Sequence, residues 1–123
     1  MIEKKVDKEG VILHVKSNVI VKLENMLNGL EYLKKDKTLP RNLRIFEDAT
    51  NAEVAFNIND IDILIEKMHE VVQEYNTIRH AVLHDSPKST AFAMIIERKK
   101  IDTNYMLKIF STTYAAFKWL NNK

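Results

Sequence analysis

His84, Asp85 and Ser86 stand in a row, and an imidazole, a carboxylate and a hydroxyl are the groups that nucleophilic hydrolysis uses. Three consecutive residues cannot all converge on one reacting atom, and no Gly-x-Ser-x-Gly elbow is present. The row therefore reads as a binding loop, with an enzyme acting on a bound anion through His84 or Asp85 as the remaining catalytic alternative. Glu66, His69 and Glu70 share a helical segment but lack the His-Glu-x-x-His spacing, so no metal site is expected. His14 and His80 fall in strand patterns and read as structural groups. The chain has no cysteine, which excludes disulfides, thiolate metal sites and a cysteine nucleophile. Gly10 and Gly29 are the only glycines, which excludes a P-loop and a dinucleotide fingerprint, so no cofactor is expected.

These residues need elements to position them. The 123 residues are about one domain's worth. Val11, Leu13 and Val15 alternate with Ile12, His14 and Lys16, and with Ile2 to Val6 before them they predict a β-hairpin. Gly10 supplies the positive φ of its turn. Ser17 or Asn18 then caps a first helix carrying Ile20, Leu23, Leu27 and Leu30, which fades near Lys35 to Lys37 before Pro40. Leu43, Ile45 and Phe46 form a strand leading into Glu47 to Asn51. Asn59 or Asp60 caps a second helix with Ile61, Leu64, Ile65, Met68, Val71, Val72 and Tyr75 on one stripe. His80 to His84 is a strand, and Asp85-Ser86-Pro87 starts a third helix carrying Ala91, Phe92, Ile95 and Ile96. Tyr105 to Phe110 is the last strand, and Ser111 or Thr112 caps a last helix with Ala115, Ala116, Trp119 and Leu120. The order ββαβαβαβα predicts a single layered α/β domain over 1–123, with about five mostly parallel strands and four helices.

In such sheets ligands bind at the carboxyl ends of parallel strands. Those ends carry Asp48, Thr50 and Asn51; His84, Asp85 and Ser86, with Lys88, Ser89 and Thr90 behind them; and Ser111 and Thr112. Aspartate, serine and threonine also cap helices, so part of this set has a purely structural use. Nineteen basic against seventeen acidic residues leave a net charge of +2. The basic runs Lys34, Lys35, Lys37, Arg41, Arg44 and Arg98, Lys99, Lys100 lie where helices end and complement the helix dipole, so no nucleic-acid partner is expected. Phe92, Phe110, Phe117 and Trp119 fit core positions rather than a base-stacking platform. No apolar run is long enough to span a membrane, and no signal peptide is evident. A soluble, cytoplasmic protein is the expectation.

The strand ending Ile45-Phe46-Glu47-Asp48, the strand Arg79-His80-Ala81-Val82-Leu83 and above all the ending Leu107 to Leu120, with Phe110-Ser111-Thr112 and Ala116-Phe117-Lys118-Trp119-Leu120, resemble small bacterial members of the SpoIIAA-like family of STAS/SEC14-type domains. The resemblance covers nearly the whole chain and implies a mixed sheet with no enzyme activity. It implies regulation or binding through protein or small-ligand contacts. In the STAS branch a loop of form Asp-x-Ser/Thr-Gly is phosphorylated; here Asp48-Ala49-Thr50-Asn51 puts Thr50 at the phosphoacceptor position and Asn51 in place of the glycine. Asparagine tolerates a left-handed turn, so the loop backbone can be kept. The SEC14 branch implies a lipid or other apolar ligand, which here would meet a groove lined by Met26, Met68 and Met94. A wide lidded cavity is not expected in so short a chain. The expected partners are a protein, a lipid or an anionic small ligand, with the chain itself a monomer or homodimer.

Overall fold

A computed structural model describes residues 2–7, 10–17, 20–84, 94–99 and 102–122. Period-2 apolar alternation builds one five-stranded sheet. Its strands are β1 (Ile2–Asp7), β2 (Gly10–Lys16), β4 (Asn42–Asp48), β6 (Thr77–Leu83) and β7 (Tyr105–Phe110), in the spatial order β1-β2-β4-β6-β7. The first pair is antiparallel and the rest are parallel. Gly10 holds φ +113° at the start of β2, a conformation that favours a residue without Cβ. Two further strands, β3 (Ile20–Val21) and β5 (Glu53–Val54), pair in parallel with each other beside this sheet.

Helices α1 (Leu23–Lys35) and α2 (Ile61–Val72) cover one sheet face, and α4 (Thr113–Leu120) covers the other. Residues 94–98 are the described part of α3, and Ile96 packs on the α1 and α2 side. The face under α1 and α2 is Leu13, Leu43, Ile45, Ile78 and Val82, packed on Leu64, Met68, Val71 and Val72. The opposite face sets Ile12, Phe46, Ala81 and Leu83 against Ala116 and Leu120.

The strands run longer than the sequence expectation, β4 continuing to Asp48 and β6 starting at Thr77 and ending at Leu83, before His84, and two helix boundaries also differ. The first helix does not start at Ser17 or Asn18. Ser17 N–H instead donates to the Asp48 carbonyl at 3.0 Å, prolonging the β2–β4 ladder, and its hydroxyl donates to Glu47. Ile20 belongs to β3 and is exposed, so it is no part of the helical stripe; Asn18 lies outside the described residues. The helix begins where Asn25 can satisfy its end. Asn25 N–H donates to the Lys22 carbonyl at 3.0 Å, and Lys22 N–H donates to Asn25 Oδ1 at 2.8 Å. The second helix ends at Val72 rather than Tyr75, because Glu74 and Tyr75 turn back onto Val71 and Val72 through tighter i→i+3 bonds. Tyr75 is nonetheless buried; its hydroxyl donates to the Leu33 carbonyl at 2.5 Å, and the Arg41 guanidinium lies 4.3 Å from its ring centre. The expected start of α3 at Asp85-Ser86-Pro87, with Ala91 and Phe92, lies outside the described residues.

Candidate functional site

Helix α1 is amphipathic, yet none of its residues is fully buried. Leu23, Met26, Leu27, Leu30 and Leu33 face inward only half-buried. Its outer flank is tied to α2 by Lys67 Nζ on Glu31 at 2.5 Å and an ion pair between Lys34 and Glu70, while Lys35 pairs with Glu31 within α1 at 3.4 Å. Between this helix and the sheet lies a cavity of about 520 Å³. Leu13, Val15, Ile45, Val82 and Leu107 form its sheet wall; Met26, Gly29 and Leu30 come from α1, and Leu64 and Met68 from α2. A Cβ added to Gly29 would meet no heavy atom within 4 Å, so the helix has open space below it there.

Among the polar side chains that interrupt the apolar wall, Ser17, Glu47, His80, His84 and Tyr105 come from the strands and their ends. Parity puts them on one face, since each follows an inward apolar residue by two positions or leads a strand in the same phase. Register then sets three of them on a diagonal. His80 pairs with Ile45 and Leu107, while Glu47 lies two residues beyond Ile45 and Tyr105 two residues before Leu107. Long side chains bridge such diagonals. His80 Nε2 lies 2.8 Å from Glu47 Oε1, His80 Nδ1 lies 2.7 Å from the Tyr105 hydroxyl, and Ser17 Oγ donates to Glu47 Oε2 at 2.8 Å. With the Tyr105 hydroxyl donating to Nδ1 and Nε2–H donating to Glu47, both halves of the chain end on one carboxylate.

The Glu47 and His80 side chains are each 15% exposed. Burial pushes the Glu47 carboxyl up, but the hydrogen bond and charge of His80, the Ser17 hydroxyl and the charge of His84 outweigh it and leave it below its ordinary value. The Tyr105 hydroxyl is pushed above its ordinary value, first by burial and then by the Glu47 carboxylate. Among the described residues no group of three His, Cys, Asp or Glu side chains is placed to hold a metal. No helix among them is long and apolar enough to cross a membrane.

Of the residues singled out from sequence, His84 lines the cavity. Its N–H donates to the Phe110 carbonyl at 3.2 Å. Asp48, Thr50 and Asn51 form a separate turn after β4. Thr50 donates to Asp48 Oδ1 twice, from its hydroxyl at 2.6 Å and its N–H at 3.1 Å, and Lys16 Nζ meets Asp48 Oδ2 at 3.1 Å. Asn51 has φ +64°, the left-handed conformation. Burial raises the Asp48 carboxyl, but the Thr50 donors and Lys16 hold it below its usual range. Ser111 and Thr112 are exposed; Thr112 Oγ1 accepts from Ala115 N–H at 3.2 Å and caps α4. Asp85 and Ser86, with Lys88, Ser89 and Thr90, lie outside the described residues. Met26 and Met68 reach the cavity, whereas Met94 is 40% exposed. Glu47, His80 and Tyr105 were not among the expected site residues. Their signal was a carboxylate and an imidazole on strand positions whose neighbours two residues away, Ile45, Ile78 and Val82, are all apolar.

The architecture is that of an α/β protein with a SpoIIAA-like fold. It is similar, with a TM-score of 0.60 and 16% identity over 98% of this chain and 92% of the other, to the crystal structure of an uncharacterized protein from the DUF3478 family with a SpoIIAA-like fold from Shewanella loihica PV-4. No family model and no curated protein matches the sequence.

Proposed function

We propose that this chain is a non-enzymatic binding domain whose ligand is a small molecule with an apolar body, held between the sheet and α1. The observation that carries this is the cavity: about 520 Å³ of apolar wall with a few converging polar groups, within the range of ordinary ligand sites. Binding is favoured over turnover because both ring nitrogens of His80 are engaged within the protein, leaving neither for a reacting atom. A regulatory role follows the same logic, since a ligand under α1 would change how that helix is held. Native mass spectrometry of the chain purified from its host tests the proposal, together with Gly29→Phe, which fills the space. A co-purifying small molecule lost in the variant supports it; bare protein that also fails to bind any medium-chain probe overturns it.

A second reading places a phosphoswitch at Thr50 and a protein partner at the strand-end loops. It is favoured by the left-handed Asn51, which lets Asp48-Ala49-Thr50-Asn51 keep the turn that glycine gives in STAS-type proteins. Phosphate on Thr50 would break its bond to Asp48 and place like charges together. Peptide mass analysis of the chain from its host decides it: a phosphate on the peptide holding Thr50 is expected, and an unmodified Thr50 under all growth conditions would remove this reading.

A further inference from the structure

We propose that the cavity selects ligands whose polar end is a hydrogen-bond-donating cation, a primary amine, seated on the Glu47 carboxylate. This rests on the cavity's being a ligand site and names the class of ligand.

Two observations converge. Glu47 opens onto the cavity with its side chain only 15% exposed, so most of the cost of removing the carboxylate from water is incurred when the chain folds. Each oxygen accepts one protein hydrogen bond, from His80 and from Ser17, while a carboxylate oxygen can accept two. One acceptor position on each oxygen is therefore left over. Of the other basic groups on the wall, Lys16 is engaged with Asp48, and His84 acts on Glu47 through its charge. An ammonium with three N–H donors meets this need in a way that an alcohol meets only in part. A carboxylate would face like charge. The apolar wall then takes the hydrocarbon body.

The test compares three probes with one chain length and different heads, n-octylamine, n-octanol and n-octanoate, by calorimetry at neutral pH on the wild-type chain. Charge-assisted hydrogen bonds are about twice as strong as neutral ones, so octylamine is expected to bind about tenfold more tightly than octanol, with octanoate weakest. Glu47→Gln should erase the amine preference and leave octanol within about twofold, and Glu47→Asp should restore part of it. Octanol or octanoate binding as tightly as octylamine overturns the head-group assignment and leaves the cavity reading standing. Failure of all three probes removes both. Because the head-group comparison needs no variant, a Glu47→Gln chain that does not fold leaves the test decisive.

Discussion

Tyr105, His80 and Glu47 hold one another in a fixed order, and each contributes differently to stability. Removing the Tyr105 hydroxyl leaves His80 Nδ1 half-buried without its donor, so Tyr105→Phe should cost about 1–2 kcal/mol in denaturant unfolding. The same variant tests the sign of the pH response. The hydroxyl's folded pKa lies above the ordinary value of 10.0, so its contribution is fully present below pH 10.0 and falls away as pH rises beyond it. The wild type should lose midpoint temperature above that pH more steeply than Tyr105→Phe. Glu47 runs the other way. Its folded pKa lies below its ordinary value of 4.5, so its contribution is present above pH 4.5 and disappears as pH falls through the folded value. Between pH 7 and pH 3, Glu47→Gln should lose less stability than the wild type; an equal loss would show that the His80 and Ser17 bonds do not hold the carboxylate ionised.

At the scale of the elements, α1 is where the fold departs from close packing. Gly29 sits in its interior, where glycine is disfavoured, and no neighbour requires it. Gly29→Ala should therefore stabilise the chain by about 0.5–1 kcal/mol in thermal or chemical unfolding; destabilisation would mean that α1 closes onto the sheet in solution. Element by element, the order of strands and long helices was legible because Leu13, Ile45, Ile78 and Leu107 repeat with period 2 while Leu64, Met68, Val71 and Val72 recur with the helical period. The left-handed Asn51 could be read from its place after Asp48-Ala49-Thr50. The start of α1 could not, because Ser17 caps nothing locally: its hydroxyl is drawn to Glu47, 30 residues away. The short β3–β5 pair was hidden for the same reason, two residues of each strand giving no periodicity to read. The candidate site was the least legible part. Strand parity shows that Glu47 and His80 interrupt apolar faces, but only the register of β4, β6 and β7 shows that those faces are adjacent and that the three side chains meet on a diagonal.

For the molecule as a whole, the two sheet faces are built to different standards, and this decides where a ligand would be felt. Ala116 and Leu120 of α4 are fully buried against Ile12, Phe46 and Ala81, whereas α1 buries no residue completely; its inward leucines are only half-buried, and ion pairs flank it on the outside. Exposed ion pairs contribute little, roughly 0–1 kcal/mol each, so α1 should open locally at lower free energy than α4. A ligand in the cavity supplies α1 with the apolar contacts it lacks. At a hundredfold excess over its dissociation constant a bound ligand stabilises the folded state by about 2.7 kcal/mol, a rise of roughly 10 °C in midpoint for a chain of this size. Hydrogen exchange separates this from non-specific stabilisation. With octylamine bound, the α1 amides should slow markedly while the α4 amides, already limited by opening of the core, slow only with global stability. Equal slowing of both helices would place the ligand elsewhere than beneath α1, and loss of the effect in Gly29→Phe would locate it there, because that side chain occupies the same space from the helix side.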